Sequence, residues 1–161
     1  LLARPEARCA AFEPNPVAAA ALLEMAEINS VSERLTVHSV ALLDCEGAQA
    51  LKMPETQHQC GLATLGQPRR FGAHSTVLAP TAMLDDYGLV PQLIKLDLEG
   101  AELHALAGAT GTIVRHRPAI VTEAHAPNTA QFGYEAAEIG TFLETLGYRC
   151  EWGREDLFCT I

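Results

Sequence analysis

The sequence predicts a doubly wound α/β domain, a mostly parallel sheet finished by an antiparallel C-terminal hairpin, in one unit over residues 1–161. Three observations predict it. Apolar, β-branched runs alternate with segments of helical period, the pattern of a parallel sheet covered on both faces. The last two apolar runs, "YRCEW" and "LFCTI", flank the turn "GRED" as the arms of a hairpin do. At 161 residues with 48% hydrophobic and 19% charged residues, the chain can bury about 70% of its unfolded surface, enough for a core.

The elements follow in order. "RCAAF" at 8–12 is a short apolar strand ending at Glu13. Asn15 is a good N-cap and Pro16 a good first residue for the helix that follows, with Ala21, Leu22, Met25 and Ile28 as its expected inner face. A strand is read at 35–40, a turn at Asp44–Gly47, and a hairpin arm at 49–53 whose partner is "STVLAP" at 75–80. The stretch from Pro54 to Gly72 has no period and reads as a long loop, of the length that is often functional. "TAMLDDYGLV" is a short helical turn, "QLIKLDL" a buried strand, and "EGAELHALAGA" a helix with Leu103, Leu106 and Ala107 inward. "RPAIVTEAH" is a third strong strand, and 134–146 a helix with Ala137, Phe142, Leu143 and Leu146 inward, ending at Gly147.

Composition excludes several function classes. A net charge of -9 with 11 Lys and Arg argues against nucleic acid, whose binders concentrate basic residues. The one basic cluster, Arg115-His116-Arg117, reads as a helix C-terminal cap. No apolar run reaches the roughly 18 residues of a membrane span. Cys9, Cys45, Cys60, Cys150 and Cys159 are odd in number, widely spaced and free of any C-x-x-C pair, so neither a disulfide framework nor a zinc site is expected, and the cytoplasm is the default compartment.

Ligands of open α/β sheets bind outside the carboxyl ends of the strands. Three strands end in acids there: Glu13, Asp97 with Glu99, and Glu123 with His125 two residues on. Glu13 is placed to accept the hydroxyls of a nucleoside ribose, or simply to complement the N-terminus of the next helix. Lys95, Asp97 and Glu99 alternate with Ile94, Leu96 and Leu98, so a regular strand puts the charged set on one face. That face must open onto a cleft or pair internally, and a Lys95–carboxylate pair is the internal solution. Gly100 permits tight entry into the helix, and Glu102 is read as a first-turn acid that favours the helix dipole, without chemistry. His125 is a candidate base because an unperturbed imidazole has its pKa near neutrality, and His104 reads as a surface or core-edge residue. Asp97, Glu99 and His125 would suit a divalent metal if they converged, but no spacing demands it and no metal is assigned.

"AFEPNP" at 11–16, "VALLDCEG" at 40–47, "CGLATL" at 60–65, "LDDYGL" at 84–89, "IKLDLEGAELHALAGA" at 94–109, "RPAIVTEAH" at 117–125 and "LGY" at 146–148 occur in the order seen in FkbM-type methyltransferases, which the chain resembles over nearly its whole length. The resemblance implies a class I Rossmann-like fold and S-adenosylmethionine-dependent O-methylation of a small-molecule acceptor such as a sugar or polyketide. By position it implies that Glu13, with Asn15 nearby, holds the cofactor ribose and that Val40, Ala41 and Leu42 line the adenine. It likewise turns Asp97 toward the methionine portion and sets Glu99, Glu123 and His125 about the acceptor, with Lys95 kept among the catalytic candidates as their internal partner. One part of the family pattern is absent: the opening strand with its glycine-rich loop, and the helix after it. The expectation is therefore a piece of a longer product, binding the cofactor weakly or not at all, with exposed strand edges at 8–12 and 93–98 through which it self-associates.

Overall fold

The computed structural model describes residues 1, 3–55, 61–69 and 72–161. Cys60 and part of the expected 54–72 loop lie outside the described residues. The elements are β1 (Cys9–Phe12), α1 (Pro16–Ile28), β2 (Leu35–His38), β3 (Ala41–Leu42), β4 (Gly47–Pro54), β5 (His74–Ala82), a 3-10 turn (Leu84–Tyr87), β6 (Leu93–Leu96), α2 (Glu102–Ala107), α3 (Thr110–His116), β7 (Ala119–Glu123), α4 (Ala126–Thr129), α5 (Ala136–Thr145), β8 (Arg149–Trp152) and β9 (Asp156–Thr160). The mixed α/β character, the hairpin at 47–82 and the C-terminal hairpin match the sequence reading. No helix among the described residues is long and apolar enough to cross a membrane.

The single sheet that was expected is divided. Parallel β1 and β2 form one pair, β3–β5–β4 a second sheet, and β6–β7–β9–β8 a third. β6 runs parallel to β7, while β9 is antiparallel to both β7 and β8. Among the described residues β1 pairs only with β2, and β6 only with β7, so each keeps one unpaired edge.

Nor is the largest sheet covered on both faces. Ile94 and Leu96, Ile120 and Thr122, Leu157 and Cys159 are buried in alternation, and with Leu106, Ile113, Ile139 and Leu143 they make the core. The other face carries Leu93, 60% exposed, with Lys95 and Phe158, also exposed. This period of two is what one-sided packing imposes on a strand.

Helix α1 starts as read, with Asn15 Oδ1 accepting the Val17 N–H at 3.0 Å. Its inner face is corrected: Ala18, Ala19 and Ala26 are buried, whereas Ala21, Leu22, Met25 and Ile28 are exposed. The helix is apolar nearly all round, so periodicity could not choose its face, and three alanines let its backbone lie close to its neighbours. In α2 the buried residues are Glu102, Ala105 and Leu106, with Ala107 outside. In α5 they are Ile139, Gly140 and Leu143, with Ala137 outside. The expectation of no disulfide is overturned as well. Cys150 and Cys159 stand directly opposite across β8 and β9 and are bonded, which their spacing of nine residues did not reveal.

Gly108 closes α2 against the end of β3. A Cβ there would collide with the Leu43 carbonyl oxygen and come within 3.1 Å of the Asp44 backbone. Gly108→Ala should therefore cost about 3 kcal/mol as the helix is forced off the sheet, read as a drop of about 10 °C in the unfolding midpoint. Gly61→Ala, where an added Cβ meets nothing within 4 Å among the described residues, should leave the midpoint unchanged.

Candidate functional site

The turn after β6 is held by several side-chain to backbone hydrogen bonds. β6 ends at Leu96, so Asp97, Leu98 and Glu99 leave the strand, and the single charged face expected for Lys95, Asp97 and Glu99 is corrected. Glu99 has φ 51 and Gly100 φ 111. A non-glycine residue in the left-handed region costs of order 1–3 kcal/mol and persists only where its surroundings compel it.

The compelling group is Glu102, which is 2% exposed. Its Oε1 accepts the Leu98 N–H at 2.9 Å and the Gly100 N–H at 3.2 Å. The Tyr134 hydroxyl lies 3.2 Å from Glu102 Oε2 and 2.8 Å from the Gly100 carbonyl, sharing its one proton between them, and accepts the Leu103 N–H at 3.3 Å. Burial pushes the Tyr134 hydroxyl far above its usual range, so it acts as a neutral donor. Glu102 is thus a positioning residue that the sequence reading missed. The sequence offers only an acid in the first turn of a helix, which reads equally as a dipole effect, because the burial of Glu102 is a tertiary fact.

The turn sends its two carboxylates apart. Glu99 Oε2 accepts from Asn128 Nδ2 at 2.8 Å, and its carbonyl lies 3.5 Å from the Thr64 hydroxyl. Gly100 is required beside it, since a Cβ there would sit 2.7 Å from the Asn128 carbonyl oxygen. Asp97 instead pairs with Lys95, Nζ to Oδ2 3.0 Å, an exposed ion pair, and its carboxyl reaches Glu123 at the end of the neighbouring strand β7.

Glu123 Oε1 lies 2.6 Å from His125 Nε2. Removal from water raises the Glu123 pKa, the adjacent Asp97 raises it further, and His125 opposes both. Asp97, Glu123 and His125 are therefore brought together at the carboxyl ends of β6 and β7, with Lys95 at the margin and Glu99 in a separate bracket. Glu155, in the turn between β8 and β9, joins them: one ligand atom each from Glu123, His125 and Glu155 lie within 4.8 Å of one another. Sequence reasoning missed Glu155 because the hairpin register that delivers it is a tertiary fact.

Glu13 and Asn15 belong to the other parallel pair. The Glu13 N–H donates to the His38 carbonyl at 2.9 Å and its Oε1 accepts the Asn15 N–H at 2.8 Å. Desolvation raises its pKa, and the bond from Asn15 pulls the other way. Beside it Phe12 and His38 stack at 4.8 Å with Tyr87 edge-on to both. Val40, Ala41 and Leu42 are buried, Ala41 and Leu42 in the β3 ladder with Thr81 and Ala82. His104, the expected core-edge residue, is half-buried between Asp44, 3.2 Å from its Nδ1, and Phe132.

The methyltransferase FkbM domain model matches residues 2–150. The crystal structure of methyltransferase FkbM from Methylobacillus flagellatus KT is similar to this chain, with a TM-score of 0.59 and 17% identity, over 96% of this chain and 36% of that one. The chain thus spans about a third of that protein's length. No curated protein matches.

Two outcomes follow for the isolated chain. Glu102→Ala strands two buried N–H donors and should cost about 3 kcal/mol or more, while Glu102→Gln, which keeps an acceptor at Oε1, should cost roughly a third of that, both read by denaturant unfolding. Glu13→Gln should raise the unfolding midpoint at pH 8 and not at pH 4. A carboxyl whose folded pKa is raised favours the fold while protonated and loses that favour as pH rises through the folded value, so the amide is the better residue only on the alkaline side.

Proposed function

Because the chain belongs to the FkbM methyltransferase domain family, we propose that it is an S-adenosylmethionine-dependent O-methyltransferase domain acting on a hydroxyl of a small-molecule acceptor such as a sugar or polyketide. The observation that carries this reading is the contiguous Asp97–Glu123–His125 group at the carboxyl ends of β6 and β7, where α/β sheets bind their ligands.

The residues at the other parallel pair fit the cofactor. Glu13 is an acid at a strand end, half-buried, with Oε2 taking no hydrogen bond among the described residues, and it would accept the ribose hydroxyls. The Phe12–His38–Tyr87 cluster and the backbone before β3 offer an apolar wall for the base. When bound, the sulfonium supplies an electrophilic methyl group.

The chain's own residues do the rest. Holding the acceptor oxygen in line with that methyl can supply roughly 7–11 kcal/mol of the barrier. The hydroxyl proton passes to the Asp97–Glu123–His125 group, whose members are in hydrogen-bonding contact and share it. The acidic lining favours a cationic donor and repels anionic acceptors.

A second reading, a non-catalytic module completed by another polypeptide or a second copy, is favoured by the unpaired edges of β1 and β6 and the uncovered face bearing Leu93 and Phe158. Such edges are where strands add. Calorimetry with S-adenosylhomocysteine separates the two. The enzyme reading expects binding that Glu13→Gln weakens tenfold or more, a loss of about 1.4 kcal/mol. The absence of any binding by a chain that sediments as a folded dimer would sink it.

A further inference from the structure

We infer that Glu123, His125 and Glu155 form a binding site for one divalent cation of the hard to borderline class, Mg2+ or Mn2+. The three offered ligand atoms lie within 4.8 Å of one another. Ligand bonds of about 2.0–2.2 Å place cis ligands about 3 Å apart and trans ligands a little over 4 Å apart, so modest side-chain adjustment closes the set on an ion. Two carboxylates and an imidazole are the donor types such ions take, and the two negative charges balance a divalent cation.

The set is more than an acidic patch. It includes an imidazole, and the side chains of His125 and Glu123 are only 17% and 27% exposed. Its convergence is imposed by the backbone. Glu123 and His125 stand two residues apart at the end of β7. The hairpin turn is tied to them by the Ala124 N–H donating to the Glu155 carbonyl at 3.0 Å and by the pairing of Glu123 with Asp156. Glu99, which the sequence offered as a ligand, is held away by Asn128. Asp97 touches Glu123 from the turn after β6 and is paired with Lys95, so it stays outside the ligand set as the remaining proton acceptor.

The purpose of the ion rests on the methyltransferase reading, in which it would anchor the acceptor oxygen beside Asp97. The site itself is tested without donor or acceptor, by titrating the chain with Mn2+ and following the free-ion paramagnetic resonance signal. We expect saturation at one Mn2+ per chain, competition by Mg2+, and at least tenfold weaker binding in Glu155→Gln and in His125→Gln, with Glu24→Gln unchanged. Glu155 is exposed, so its variant folds as the parent does and keeps the test clean. No saturable binding up to 1 mM Mn2+, or binding that both variants leave intact, overturns the site. Mn2+ binding without S-adenosylhomocysteine binding would overturn the methyltransferase reading and leave the cation site standing, and the converse result would remove the cation site alone.

Discussion

The carboxylate of Glu102 is the group on which the candidate site depends. Burying an unpaired charge is prohibitive, so a fully enclosed glutamate must collect donors, and this one takes the N–H groups of Leu98 and Gly100 with Tyr134 beside it. Those bonds bend the chain out of β6 within two residues and sustain the left-handed backbone of Glu99. Without the bend, strand alternation would carry Asp97 and Glu99 to the same face. With it, Asp97 meets Glu123 and Lys95 while Glu99 meets Asn128.

The turn also joins regions distant in sequence. Thr64 lies against the Glu99 carbonyl and the Gln67 N–H donates to Gln131 Oε1 at 2.5 Å, so residues 64–67 are tied to the turn after β6 and to Gln131. Binding residues are commonly carried on loops held by a rigid frame, and residues 64–67 are held in that way.

The frame has an open side. The edges of β1 and β6, the exposed Leu93 and Phe158, and the outward Leu22, Met25 and Ile28 of α1 leave apolar surface of a kind that folded chains usually cover. The chain spans 36% of its solved structural neighbour.

The sequence by itself determined the local elements and the residue types of the site. Most strand and helix positions, the Asn15–Pro16 helix start, both hairpins, a Lys95–carboxylate pair and the acids at three strand ends follow from period, turn chemistry and spacing, which act within a few residues. Tertiary structure alone decided which faces are buried, as with the alanines of α1, because an all-apolar helix has no preferred side until something packs on it. It likewise decided that Cys150 bonds Cys159, that Glu155 reaches Glu123 and His125, and that Glu102 is a buried clamp. Each of these depends on strand register or enclosure, and neither is encoded in the spacing of neighbours along the chain.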